Sequence, residues 1–128
     1  MPRTVTVSHV CSPEIGSVGL READAREKGI KYRVGRFQFR GLGKAHIMGE
    51  IAGMAKIIAD EATDKVLGVH ICGAHAADLI HEGVLAIQMG ATAKQLGDMI
   101  HIHPTLSEVM RETAEDVHKS AIHVMKKQ

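Results

Sequence analysis

The sequence predicts an α+β fold in which a largely antiparallel β-sheet packs against helices. Up to Gly73, apolar residues mostly alternate with polar ones or form short runs, which is typical of strands. From Ala76 onward they recur at the spacing of a helix face. Strands followed by helices favour an α+β fold with an antiparallel sheet. A chain of 128 residues is long enough for one domain with its own core.

Five segments have the alternation or the short apolar run of a strand: residues 3–10, 16–19, 31–39, 51–60 and 66–73. The last two are joined by polar residues 61–65 and have the pattern of a β-hairpin with a longer turn. Residues 20–28 contain good helix formers, and Gly29 suits the position just after a helix. Residues 41–44 contain two glycines and are predicted to form a loop.

Three helices are predicted in the second half. The first covers the helical spacing of residues 76–87, and Gly90 ends it. A capping box at residues 92–95 opens a short helix, and another at residues 105–108 opens the last helix. Four apolar residues would form one face of that last helix: Met110, Val117, Ala121 and Val124.

Composition argues against several classes of partner. The formal charge is +1, and one Tyr, two Phe and no Trp leave few side chains for base stacking, so no nucleic acid is expected. No apolar run is long enough for a membrane helix, and the amino terminus lacks an apolar signal segment. We therefore expect no membrane contact and a cytoplasmic location. Cys11 and Cys72 are expected to be small buried hydrophobes and not a disulfide.

The densest group of chemically active side chains lies in the segment His101–Glu108. His103 precedes Pro104, which favours an extended backbone, and Glu108 lies in the first turn of the predicted helix. The carboxylate could accept a hydrogen bond from one ring nitrogen and leave the other nitrogen as a base. From the spacing alone, an ordinary surface histidine and a simple helix cap are the favoured explanation of the two residues.

A metal site is an alternative that the nine histidines suggest. His101 and His103 could point the same way, and His70, Cys72 and His75 form a second group. However, the sequence has neither a Cys-x-x-Cys nor a His-Glu-x-x-His motif. We therefore assign no metal ligand.

Several motifs occur in a characteristic order: Pro13–Leu20, Lys44-Ala45, Gly53–Lys56, Leu67–Gly73, Glu82–Ile87 and His101–Glu108. Together they resemble the C-terminal interface (dimerisation) domain of the pyridine nucleotide–disulfide oxidoreductases. The resemblance runs from about Thr4 to Val124, and the paired histidines and Leu106 favour the members that oxidise dihydrolipoamide. Residues 1–128 are thus expected to form a single interface domain.

The resemblance implies a role for the His103 segment. In the family, the histidine that matches His103 reaches the partner subunit's active site and acts as acid and base towards a dithiol. The glutamate that matches Glu108 holds this histidine, and the backbone at His103 and Pro104 lies near the partner's flavin. Catalytic residues are therefore expected at His103 and Glu108, and cofactor contacts at His103 and Pro104.

The resemblance also implies cofactors and partners. The full-length enzymes use FAD and NAD, form homodimers through this domain and serve a 2-oxo acid dehydrogenase complex. This chain has no Gly-x-Gly-x-x-Gly loop and no Cys-x4-Cys disulfide motif. FAD- and NAD-binding domains are therefore expected to be absent from residues 1–128. The isolated chain should bind neither cofactor and should be inactive.

Exposed apolar residues favour a homodimer, and two other functions are alternatives to that of an enzyme's interface domain. Four apolar residues of the helix at 76–87 should be exposed in a monomer, as should the last helix, which favours a homodimer: Leu79, Ile80, Val84 and Ile87. The same fold without catalysis would be a stand-alone dimerising or regulatory module. A small histidine-rich metal-binding protein is the other alternative.

Overall fold

Five strands form one antiparallel sheet in the computed structural model, which describes residues 6–9 and 12–123. The strands are β1 (Thr6–His9), β2 (Ile15–Gly19), β3 (Tyr32–Gln38), β4 (Gly53–Asp60) and β5 (Val66–Gly73). Their spatial order is β1-β2-β5-β4-β3, and every neighbouring pair is antiparallel. The predicted α+β class with an antiparallel sheet is confirmed.

Five α-helices complete the described part of the chain: α1 (Glu22–Glu27), α2 (Gly43–Met48), α3 (Ala76–Met89), α4 (Ala93–Asp98) and α5 (Glu108–Val117). A single 3₁₀ turn at Phe39–Gly41 follows β3. Over residues 6–9 and 12–123, none of these helices has the length and apolar character needed to cross a membrane.

The core lies between one face of the sheet and helices α3 and α5. Ile57 of β4 and Val69 of β5 are fully buried, as are Ile80 of α3 and Val109 of α5. These side chains meet because alternate residues of a strand share one face of the sheet. The chain segment that carries the candidate site lies between these two helices in the sequence, after α3 and directly before α5.

Glycines allow the two helices to approach the sheet closely. A Cβ atom at Gly83 of α3 would lie 2.9 Å from the Val69 side chain. A Cβ atom at Gly35 of β3 would lie 2.1 Å from the backbone oxygen of Thr113 in α5. Neither glycine could be replaced without a shift of the helix or the strand.

Local signals in the sequence predicted several boundaries correctly. The hairpin strand at residues 66–73 agrees with β5. Gly29 and Gly90 both have positive φ angles after their helices, of 67° and 65°. Thr92 and Gln95 form the predicted reciprocal capping box of α4.

Three predictions about local structure were wrong. The predicted loop at residues 41–44 instead leads into α2, which begins at Gly43. The last helix ends at Val117 and does not continue through Ala121, and Val124 lies outside the described residues. The predicted capping box of Thr105 and Glu108 forms only in part. The backbone N–H of Thr105 donates to Glu108, but the Thr105 hydroxyl donates to the carbonyl of Ile102. Residues 3–5 and 10, predicted as strand, and Cys11 also lie outside the described part of the chain.

The expected apolar surface of the last helix was also wrong. Its apolar side chains at Val109, Met110 and Val117 are buried within the chain, against the sheet and α4. Ile80 of α3 is buried as well. The apolar residues that remain exposed on α3 are Leu85 and Met89.

Replacement of Gly35 by Ala should weaken the packing of α5 on the sheet. The added methyl group meets backbone atoms, which cannot move aside as a side chain would, so the free energy of unfolding should fall by about 1–3 kcal/mol. Gly43→Ala is the matched control, because no atom lies within 4 Å of a Cβ atom there. Urea unfolding of both variants measures the difference, and equal stabilities would contradict the close approach.

Candidate functional site

The loop at residues 99–107 connects α4 to α5 and carries the segment that the sequence singled out. Its apolar side chains at Ile100 and Ile102 are 90% and 78% exposed. The side chain of His103 is 74% exposed, whereas that of His101 is only 5% exposed. The two histidines therefore have different surroundings, although one residue separates them.

His103 and Glu108 form the pair that the sequence predicted. The Nδ1 atom of His103 lies 2.9 Å from Oε1 of Glu108, and the backbone N–H of Thr105 donates to Oε2 at 3.0 Å. A carboxylate only accepts, so Nδ1 carries a proton and the neutral ring has its lone pair at Nε2. The arrangement presents a proton acceptor on an exposed loop.

Glu108 is held in its charged form. Burial raises the pKa of this carboxyl, but the hydrogen bonds from the Thr105 amide and the His103 ring outweigh it. The nearby charge of His123 acts in the same direction, so the pKa lies below its ordinary value. Glu108 can therefore orient the ring of His103 and stabilise the ring when it is protonated.

A second His–Glu pair, which the sequence analysis did not identify, anchors the same loop. The Nε2 atom of His101 lies 2.7 Å from Oε1 of Glu82 in α3, and its Nδ1 atom lies 3.1 Å from the carbonyl oxygen of Met99. Both partners accept, so both ring nitrogens donate, as only the imidazolium can. The carboxylate of Glu82 raises the pKa of His101 by more than burial lowers it.

A third pair lies further along α5. The buried carboxylate of Glu112 accepts from Nδ1 of His123 and from the backbone N–H of Ile122 at 3.2 Å. Glu108 and Glu112 are one helical turn apart. This pair fastens the chain after α5 beside the turn that carries Glu108.

The residues considered as metal ligands are not brought together. Nδ1 of His70 faces the hydroxyl of Ser17 at 2.6 Å, and Nε2 faces the carbonyl oxygen of Leu20 at 2.9 Å. Burial lowers the pKa of His70, so the neutral ring is favoured. Within residues 6–9 and 12–123, no three His, Cys, Asp or Glu side chains are grouped as metal ligands. Cys72 is a free thiol.

The fold and the His-Glu loop define a domain that is recognisable from known proteins. Residues 5–114 match the dimerisation domain of the pyridine nucleotide-disulphide oxidoreductases, and the chain belongs to this family. Among solved structures, the fold is similar to the HOCl-induced flavoprotein disulfide reductase RclA from Escherichia coli. The TM-score is 0.83 and the identity 26%, over 88% of this chain and 26% of that one.

Curated relatives narrow the similarity within the family. A dihydrolipoyl dehydrogenase from Thermus scotoductus is 47% identical over 113 residues, which are 88% of this chain and 24% of that protein. The dihydrolipoyl dehydrogenase of Bacillus subtilis is 46% identical over 112 residues, again 88% of this chain and 24% of the relative. The chain thus spans about a quarter of the length of these relatives and corresponds to the dimerisation domain of dihydrolipoyl dehydrogenase-like oxidoreductases.

The pair of His101 and Glu82 should give the chain a stability that depends on pH. Because the folded-state pKa of His101 is raised, its contribution is complete below the ordinary histidine pKa of about 6.5 and is lost as the pH rises through the higher folded value. Glu82→Gln should therefore destabilise the chain most at mildly acidic pH. Arg111 is the cation whose charge opposes this effect.

Urea unfolding from mildly acidic to mildly alkaline pH measures this contribution. Asp78→Asn is the matched control, because this carboxylate lies on the same helix and also faces a histidine, Nδ1 of His75 at 3.6 Å, but its side chain is 85% exposed. An ion pair so exposed to solvent contributes little. The gap between the wild-type chain and Glu82→Gln should shrink as the pH rises, while Asp78→Asn stays close to the wild type. A gap that is constant with pH would contradict an ion pair at His101.

Proposed function

We propose that this chain is the dimerisation domain of an enzyme that oxidises dihydrolipoamide, and that His103 acts as acid and base in the partner subunit's active site. The observation that carries the proposal is the exposed ring of His103, oriented by the carboxylate of Glu108. The likeness to dihydrolipoyl dehydrogenases over most of the chain supports the choice of substrate class.

The exposure of the loop supports action on another subunit. Two cavities of about 250 and 510 Å³ lie elsewhere on the chain, and His103 lines neither of them. An acceptor nitrogen on a protruding loop suits a site that a second surface completes. His103 and Pro104 would then stand close to the flavin of the partner subunit, without enclosing it themselves.

The oxidation of a dithiol requires a base that removes the thiol proton, and His103 would be that base. A thiol is a weak nucleophile until it loses its proton, so Nε2 of His103 would take the proton of one dihydrolipoamide thiol. The thiolate attacks the enzyme disulfide, which forms a mixed disulfide and releases one enzyme thiolate, and the protonated ring would pass its proton to that thiolate. Nε2 would then take the proton of the second substrate thiol, whose thiolate attacks the mixed disulfide, closes the lipoyl disulfide and releases the second enzyme thiolate. FAD and NAD supply the redox chemistry that returns the enzyme disulfide to its oxidised form. Glu108 stabilises the ring while it carries the proton.

A homodimer is the assembly that we propose. Five exposed apolar residues, two of α3 and three of the loop at residues 99–107, would meet a second copy: Leu85, Met89, Met99, Ile100 and Ile102. The loop that carries three of these side chains also carries His103, so a surface that buries them would bring the base to the partner. A 2-oxo acid dehydrogenase complex would be the larger assembly, and the cytoplasm is the compartment that we propose.

Replacement of His103 by Gln should abolish most of the thiol oxidation. The test uses a chimera in which this chain replaces the matching segment of the Bacillus subtilis dihydrolipoyl dehydrogenase. Loss of a positioned base should lower the oxidation of dihydrolipoamide by roughly 10²–10⁴-fold. Glu108→Gln should cost less, because the ring remains but is less well oriented. Steady-state kinetics with dihydrolipoamide and NAD measure both effects.

The control reaction is electron transfer from NADH to an artificial acceptor, which needs no thiol proton to be removed and should change little. If both activities fell in parallel with flavin content and thermal stability, His103 would be a packing residue. A wild-type chimera that binds flavin but does not oxidise dihydrolipoamide would contradict the proposed function itself.

Leu85→Asp should dissociate the isolated chain into monomers. A carboxylate within the proposed apolar surface would have to be buried without a partner, which is strongly unfavourable. Ile47→Asp is the matched control, because Ile47 is 71% exposed on α2 and outside the proposed surface. In sedimentation velocity at micromolar concentration, the wild-type chain and Ile47→Asp should be dimers. A monomeric wild-type chain would contradict the proposal.

A further inference from the structure

The pair formed by His101 and Glu82 has no part in the proton transfer assigned to His103, yet it is a partly buried polar contact of the same loop. The ring of His101 is almost completely enclosed, whereas its neighbours Ile100 and Ile102 project outward. Glu82 belongs to α3, and His101 is 19 residues further along the chain. The contact therefore joins the loop to a helix that is packed on the sheet.

We infer that Glu82 and His101 are positioning residues, whose charged hydrogen bond anchors the loop to α3 and so determines where His103 stands. The inference rests on the proposed function of His103 as a base. One residue separates the anchor His101 from the base His103, so their Cα atoms are at most about 7 Å apart. A displacement of His101 is therefore passed almost directly to His103.

The contacts of the loop explain why a single anchor matters. On the side of α5, the hydroxyl of Thr105 donates to the carbonyl of Ile102 at 2.6 Å, and Glu108 accepts the Thr105 amide. The first bond lies within the loop and the second joins the loop to the start of α5, so neither connects the turn around Pro104 to α3. The hydrogen bond between His101 and Glu82 fixes the position of this turn relative to α3, and its two residues are 19 positions apart in the sequence.

The charge of the pair is part of the anchor. With Nδ1–H donating to Met99, the ring can donate to Glu82 only while it is protonated. A glutamine at position 82 could still accept a hydrogen bond, but it would no longer favour the charged ring. Among the groups packed near the ring, Glu82 stabilises the charge and Arg111 of α5 opposes it.

Glu82→Gln should therefore misplace the base without removing it. In the chimera, kcat for dihydrolipoamide oxidation should fall about tenfold or more, within the roughly 100-fold that a displacement of 1 Å can cost, while KM changes little. The transfer of electrons from NADH to an artificial acceptor should be unaffected. Asp78→Asn on the same helix is the matched control and should leave both activities unchanged.

The isolated 128-residue chain gives a readout that needs no activity. Heteronuclear NOE values of the Ile102 and Thr105 amides should fall in Glu82→Gln, which reports faster motion of the loop, and should not fall in Asp78→Asn. Unchanged values in Glu82→Gln would overturn the inference whatever the kinetics. An equal loss of dihydrolipoamide oxidation and of electron transfer from NADH would also overturn it, because the pair would then be purely structural.

The two proposals fail in different ways. If His103→Gln lowers dihydrolipoamide oxidation and Glu82→Gln does not, the role of His103 as a base is supported. The role of Glu82 and His101 as positioning residues is then contradicted. If His103→Gln has no effect on this oxidation, the proposed function fails, and the anchor has no base to position.

Discussion

The close approach of α3 and α5 to one sheet is the constraint on which the rest of the structure depends. Gly83 brings α3 against Val69, and Gly35 brings the sheet against the backbone of α5. Each helix supplies one carboxylate to the loop between α4 and α5, and the loop is ordered from both sides. The separation of the two helices therefore determines the geometry of the site, although neither glycine is near His103 in sequence.

The two carboxylates do different work with similar partners. Glu108 meets a ring that is largely exposed and that is free to exchange a proton at its other nitrogen. Glu82 meets a ring that is enclosed and that needs both of its protons to satisfy its acceptors. In the roles that we propose, the same pair of residue types would serve as a reactive group in one surrounding and as an anchor in the other, because burial decides which protonation states are accessible.

Much of the architecture could be predicted because its signals are local. A short apolar run indicated β5, glycines indicated the ends of two helices, and the short spacing from His103 to Glu108 indicated that pair. The beginning of α2 carries no such signal, since Leu42 provides no side-chain cap. The apolar pattern of the last helix continued to Ala121 because this residue is buried outside the helix. The contact from Glu82 to His101 depends on tertiary packing alone.

The protrusion of His103 has a consequence for mixed populations of subunits. If each subunit lends its base to the other, a subunit without His103 damages its neighbour's centre and leaves its own disulfide intact. A second subunit that lacks the redox disulfide but retains His103 would then supply the histidine that the first subunit's centre needs. One of the two centres of such a hybrid would work, although both parental homodimers would be inactive. Two defective alleles could complement each other, and a single one could act partly in a dominant manner.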